Sequence, residues 1–225
     1  MDASGQHVNY HKSAISFSAN MDEASQWQVC EILEVFATSN HGTYLGMPSQ
    51  IGRKNSVVFN FIREKVWQRL QSWNLKFLGR AGKEIMLKTV AQAIPNYAMN
   101  IYLLLVELYK ELEIMMNSFW CKRNEDRGIH WRRWELMCKP KSFGGIGFKK
   151  IHEFNIAMLG KQCWKLMTIL HSLVARILKA RYYPRSAFTD ASVSFNLSYT
   201  WRSIIAAKHV VVQRSMMRIG SGLQV

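Results

Sequence analysis

Paired carboxylates are scarce in this 225-residue chain. Its aspartates are Asp2, Asp22, Asp126 and Asp190, and no two of them are adjacent. Two-metal phosphoryl transfer needs neighbouring carboxylates to hold its ions a few ångströms apart, so that chemistry is not expected of this chain alone. The cysteines, Cys30, Cys121, Cys138 and Cys163, form no C-x-x-C pair. Neither His7 with His11 nor Cys121, His130, Cys138 and His152 together have the spacing of a zinc site, so no metal site and no cofactor is expected. With no basic segment and apolar core behind "MDASGQ", a secretory leader is not expected. The thiols then read as reduced, in a protein of the nucleus or cytoplasm that is not secreted. No apolar run reaches membrane-spanning length; "IYLLLV" at 101–106 is far too short. "GGIGF" at 144–148 lacks the Gly-Lys-Ser/Thr that ends a P-loop.

What is plentiful is positive charge. Lys and Arg number 30 against 15 Asp and Glu, a formal net charge of +15. Apolar residues make up 48%, enough for a packed core. A small neutral substrate does not require such an imbalance, whereas a polyanionic partner does. The charge is also localised. Residues 1–50 set Lys12 against Asp2, Asp22, Glu23, Glu31 and Glu34. Between 51 and 90, Arg53, Lys54, Arg63, Lys65, Arg69, Lys76, Arg80, Lys83 and Lys88 face only Glu64 and Glu84. A basic stretch with so few anions predicts phosphate contacts without base readout.

The patterning gives a mainly α chain with a small N-terminal β portion, an α+β class. Alternation in "HVNYHKSAISFS" (7–18) predicts two short strands. A helix capped by Asp22 follows over 22–36, and "TSNHGTYLGMPS" (38–49) reads as a hairpin. From Ser56 the period becomes helical, with Phe59, Ile62, Val66, Leu70 and Trp73 on one stripe. A second helix spans 81–94 and stops at Pro95. A third spans 107–120, with Leu108, Leu112, Met115 and Phe119 sharing a face. After a turn-rich stretch, helices are expected over 153–167, over 172–183 up to Pro184, and over 198–211.

Several blocks in order carry a family resemblance: "SGQHVNYHKS", "TYLGMPSQIGRK", "RLQSWNLKFLGRAGKEIMLKTVAQAIPNYAM", "ELEIMMNSFWC", "IHWRRWELMCKPKSFGGIGFKKIHEFNIAMLGKQCWKL", "LVARILKARYYP" and "SYTWRSI". Together they resemble the C-terminal half of a plant LINE-type (non-LTR) retrotransposon reverse transcriptase. The resemblance implies residual palm strands and a primer-grip hairpin over 1–55, a thumb-like helical bundle over 56–125 and a connecting helical region over 126–225. It places the Asp-Asp pair ahead of Met1 and the zinc-binding and ribonuclease H segments beyond Val225. Tyr44, Leu45 and Gly46 match the primer grip, and Lys12 in "VN-x-x-KS" matches the lysine near the incoming triphosphate. Beside them Arg53, Lys54, Arg63, Arg69, Arg80, Lys83 and Lys88 are the candidate phosphate contacts.

The expected partners are RNA or DNA, with the missing polymerase half as a possible protein partner and no membrane. The implied function is a backbone-binding fragment of an RNA-directed DNA polymerase family, inactive alone. The alternative is a helical protein-interaction module without a nucleic-acid role.

Overall fold

A computed structural model describes residues 9, 13–17, 20–38, 43–44, 47–48, 56–74, 78–121, 133–192 and 198–215. The chain divides into two compact units, Met1–Val58 and Phe59–Val225.

In the first unit one helix, α1 (Glu23–Leu33), is set by its ends. The Asp22 carboxylate accepts from the Ser25 backbone N–H at 3.0 Å and from the Ser25 hydroxyl at 2.7 Å, satisfying an orphan amide of the first turn. Those two bonds hold the Asp22 carboxyl below its ordinary range. The helix stops where Glu34 turns left-handed at φ 51°.

The expected α+β class is corrected here to mostly α. Within the described residues, extended pairing amounts to β1 (Thr43–Tyr44) against β2 (Met47–Pro48) and an isolated parallel bridge between Ile15 and Ala37. The alternation around Ile15 is real, since Ser13, Ile15 and Phe17 are half-buried while Ala14 and Ser16 are exposed. The bridge there is made by Ile15: its N–H donates to Phe36 O and its carbonyl accepts from Thr38 N–H. Alternation supplies a face, but a sheet also needs neighbouring strands to satisfy its edges.

The second unit is helical. α2 (Ser56–Asn74) buries Phe59, Ile62, Val66, Leu70 and Trp73, the stripe expected from the sequence. α3 (Arg80–Met86) runs into a π-helical turn, Leu87–Ala91, in which Gln92 N–H reaches back to Leu87 O. That turn buries Leu87, Ala91 and Gln92 together. Pro95 opens the short helix α4 (Asn96–Met99). α5 (Val106–Cys121) buries Leu108, Leu112, Met116 and Phe119. Met116 holds the inner place expected for Met115, which is half-buried. Trp73 and Phe119 pack with ring centroids 5.8 Å apart, tying α2 to α5.

After α6 (Trp134–Met137) a 3₁₀ turn and the glycine loop lead into α7 (Ile151–Thr168). α8 (Leu173–Tyr182) and α9 (Tyr199–Arg214) follow, and α9 lies along α7. Their core joins Leu159, Cys163 and Leu166 of α7 to Trp201, Ile204 and Ala207 of α9. Tyr182 and Tyr183 stack on Trp201 at 4.7 and 5.5 Å. Cys163 donates its thiol to Ile204 O at 3.2 Å, and burial pushes its pKa up to about 11, so it acts as a small apolar filler.

Candidate nucleic-acid interface

The candidate residues fall into three groups. Lys12, Leu45, Gly46, Arg53 and Lys54 lie outside the described residues. Tyr44 stands in the short hairpin, opposite Met47. Arg63, Arg69, Arg80, Lys83 and Lys88 lie on α2, α3 and the π turn, and these differ sharply in what their charges do.

On α2 the cations flank the buried stripe. Arg63 pairs with Glu111 of α5 at 3.5 Å, and both side chains are nearly half exposed. Such a pair contributes little to stability and leaves the guanidinium available. Lys65 places its ammonium nitrogen 4.3 Å from the centre of the Phe61 ring, a cation–π contact on an exposed side chain. Arg69 and, at the start of α3, Arg80 are exposed and make no ion pair among the described residues.

Lys83 and Lys88 are turned into the protein. Lys83 Nζ donates to Phe119 O at 3.2 Å, on the last turn of α5, where the helix leaves carbonyls unpaired and the macrodipole favours a cation. Lys88 Nζ donates to Glu84 Oε1 at 2.8 Å and to Ile146 O at 2.7 Å. Glu84 also receives Lys141 Nζ at 2.9 Å. Hydrogen bonds from Lys88 and then Lys141 hold its carboxyl below the usual range. Lys88 thus joins α3 to the glycine loop, with two of its three ammonium protons engaged within the protein.

The glycine loop is explained by the same junction. Gly144 and Gly147 have φ of 74° and 77°, which L side chains rarely adopt. Met137 O accepts from the N–H groups of Ile146 and Gly147 at 2.9 and 3.0 Å. At Gly145 an added Cβ would meet Lys139 O at 1.9 Å. These amides are spent on the chain itself, so the loop is a turn and no phosphate cradle.

Sequence reasoning missed the polar residues that hold the two sides together. Gln92, buried, exchanges bonds with Lys149: its Nε2 donates to Lys149 O at 3.3 Å and its Oε1 accepts from Lys149 N–H at 3.4 Å. Glu113 accepts the Ile151 N–H at 3.0 Å, so a side chain of α5 caps α7. Burial, opposed by that hydrogen bond, pushes the Glu113 carboxyl above its ordinary value. Asn155, buried on α7, accepts from Leu104 N–H at 2.8 Å and donates to Met99 O at 2.9 Å and Tyr102 O at 3.0 Å. The signal was available: Ile151, Asn155 and Leu159 fall on one helical stripe, and an amide there has to serve backbone.

Among the described residues no group of three His, Cys, Asp or Glu side chains could hold a metal ion. Among them, no helix is long and apolar enough to cross a membrane.

The chain is similar to two Arabidopsis thaliana proteins. One is the "Uncharacterized mitochondrial protein AtMg00310", 38% identical over 133 residues that make up 58% of this chain and 86% of that protein. The other is the "Putative ribonuclease H protein At1g65750", 29% identical over 183 residues. That match covers 80% of this chain but only 30% of the longer protein. No family model and no solved structure matches.

Proposed function

We propose that this chain, which belongs to the family of the uncharacterized mitochondrial protein AtMg00310, is a nucleic-acid backbone-binding portion of a LINE-type retrotransposon polypeptide. In this reading it grips RNA or DNA through phosphate, reads no base edge and does not polymerise alone. The observation that supports it most directly is the set of exposed cations on α2 and α3. Arg69 and Arg80 are unpaired among the described residues, and Arg63 is held only by an exposed ion pair. The second relative, named as a ribonuclease H protein, is in keeping with a nucleic-acid role.

The mechanism is electrostatic. Each phosphate neutralised by a guanidinium releases condensed counterions, so affinity falls as salt rises. Lys83 and Lys88 serve this indirectly by fixing α3 to α5 and to the glycine loop, which keeps Arg80 on a rigid frame.

Anisotropy of a labelled duplex across a salt series tests the reading. With about four phosphates engaged, log affinity should fall against log salt with a slope of about −3 to −4. Replacing Arg53, Lys54, Arg69 and Arg80 together by Ala should flatten that slope and weaken all sequences alike. Salt-independent binding, or a quadruple variant that binds like the parent, would sink it.

A further inference from the structure

The outer face of α8 is apolar where solvent should favour polar side chains. Leu173, Val174 and Ile177 are 68%, 62% and 55% exposed, and Leu170 just before the helix is 61% exposed. The inward face holds Ala175, Leu178 and Tyr182, so the helix carries apolar residues on both sides. Neighbouring aliphatic side chains left in water at this density mark an interaction site.

Beside Val174 the surface is concave. A groove of about 470 Å³ lies between α8, the end of α7 and the start of α9. Val174 and Leu178 line one part of it, Gln162 and Lys165 another, and the buried Leu166 and Ile204 contribute its deepest residues. The platform is fixed. Ser172 Oγ caps α8 through the Ala175 N–H at 3.3 Å, and Tyr182 stacks on Trp201.

Charge says what fits. Between Glu153 and Asp190 the sequence holds Lys161, Lys165, Arg176, Lys179, Arg181 and Arg185 and no acidic residue at all. Lys165, at the groove, makes no ion pair among the described residues. We infer that this groove docks an acidic amphipathic helix of a partner protein, its apolar anchors seated against Val174 and its carboxylates facing the Lys165 side. Apolar anchors at three- and four-residue spacing match a groove alongside a helix. The aliphatic lining offers no ring on which a nucleobase could stack, which sets it apart from a single-strand site. Its concavity favours an inserted side chain over a flat lipid surface.

The test uses the full chain and a fluorescein-labelled model peptide of about 15 residues, long enough to turn helical. The peptide carries Leu at i, i+3, i+4 and i+7 with Glu elsewhere, and a scrambled peptide of equal composition is the control. The ordered peptide should bind at least about tenfold more tightly than the scrambled one, a difference of about 1.4 kcal/mol. V174D/I177D, at exposed positions, should abolish the preference with the melting temperature unchanged. K165E should weaken the ordered peptide. The variant lacking Arg53, Lys54, Arg69 and Arg80 should bind it like the parent, so failure here and failure of the nucleic-acid reading are distinguishable. Equal binding of both peptides, or an undiminished V174D/I177D, overturns the inference. So does a V174D/I177D-sensitive grip on anionic vesicles or on an oligonucleotide without any on the ordered peptide.

Discussion

Asn155 shows how one side chain can hold a junction. Its amide serves Met99 O at the end of α4 and Tyr102 O and Leu104 N–H in the irregular stretch between α4 and α5. No helix ladder takes up these groups there, and Asn155, Met99 and Leu104 are buried. Asn155→Leu keeps the branching and the number of side-chain heavy atoms but strands all three groups, each at about 1–3 kcal/mol. The expected outcome in urea is a lower midpoint with an unchanged slope, a loss of more than about 2 kcal/mol. A loss no larger than that of an exposed substitution such as Thr168→Ala would show that the stretch reorganises around the change. Gly145 makes the same point by sterics. A methyl group cannot fit 1.9 Å from Lys139 O, so Gly145→Ala should destabilise, whereas Gly79→Ala, with open space around it, should not lose stability by contact.

At the scale of elements, the helices were legible and the joints were not. The α2 stripe, the Asp22 cap and the stops near Pro95 and Pro184 depend on local periodicity and backbone restriction, which a sequence displays directly. The inner place of Met116 was missed because Met115 and Met116 are adjacent and equally apolar, and only packing on a neighbour separates them. The strands were overread because alternation specifies a face without specifying a partner. Of the candidate cations, sequence could supply the density but could not tell Arg80, exposed, from Lys88, bonded to Ile146 O across 58 positions. Long-range bonds of that kind depend on the fold.

The α5–α7 joint carries its own pH signature. Glu113 caps α7 from half-buried surroundings that raise its carboxyl above its ordinary value. A carboxyl raised on folding stabilises most below its unfolded value, and that contribution is lost as pH rises through the folded one. Glu113→Gln keeps an oxygen for the Ile151 N–H and removes the charge. Relative to the parent, this variant should therefore gain stability as pH is taken from 4 towards 7. Paired denaturant titrations at several pH values measure the difference, and a flat one would mean that Glu113 ionises as it does in the unfolded chain. In the same joint, Leu112→Ala removes a buried inner-face side chain of α5 and should cost about 2–5 kcal/mol.

For the whole molecule, binding and chemistry are expected to separate. A polymerase holds its substrate by phosphate contacts spread over a large surface, but it transfers the nucleotidyl group only where carboxylates fix two metal ions. In the proposed reading this chain supplies the dispersed component, for which its net charge of +15 is suited. Of its aspartates, Asp22 is committed to capping α1, and Asp190 lies in a short 3₁₀ turn near α9. Asp2 and Asp126 stand far apart in sequence, with no adjacent carboxyl partner for Asp2 and only Glu125 beside Asp126. A primed RNA or DNA template incubated with the chain, deoxynucleotides and magnesium or manganese should therefore show no extension, while the same template is retained in a salt-sensitive complex. Extension that survives repurification would show that metal-binding carboxylates assemble in some other way. Retention without extension, lost in parallel with the counterion-release slope in the Arg53, Lys54, Arg69 and Arg80 variant, is the joint outcome expected of a backbone-gripping portion of a larger machine.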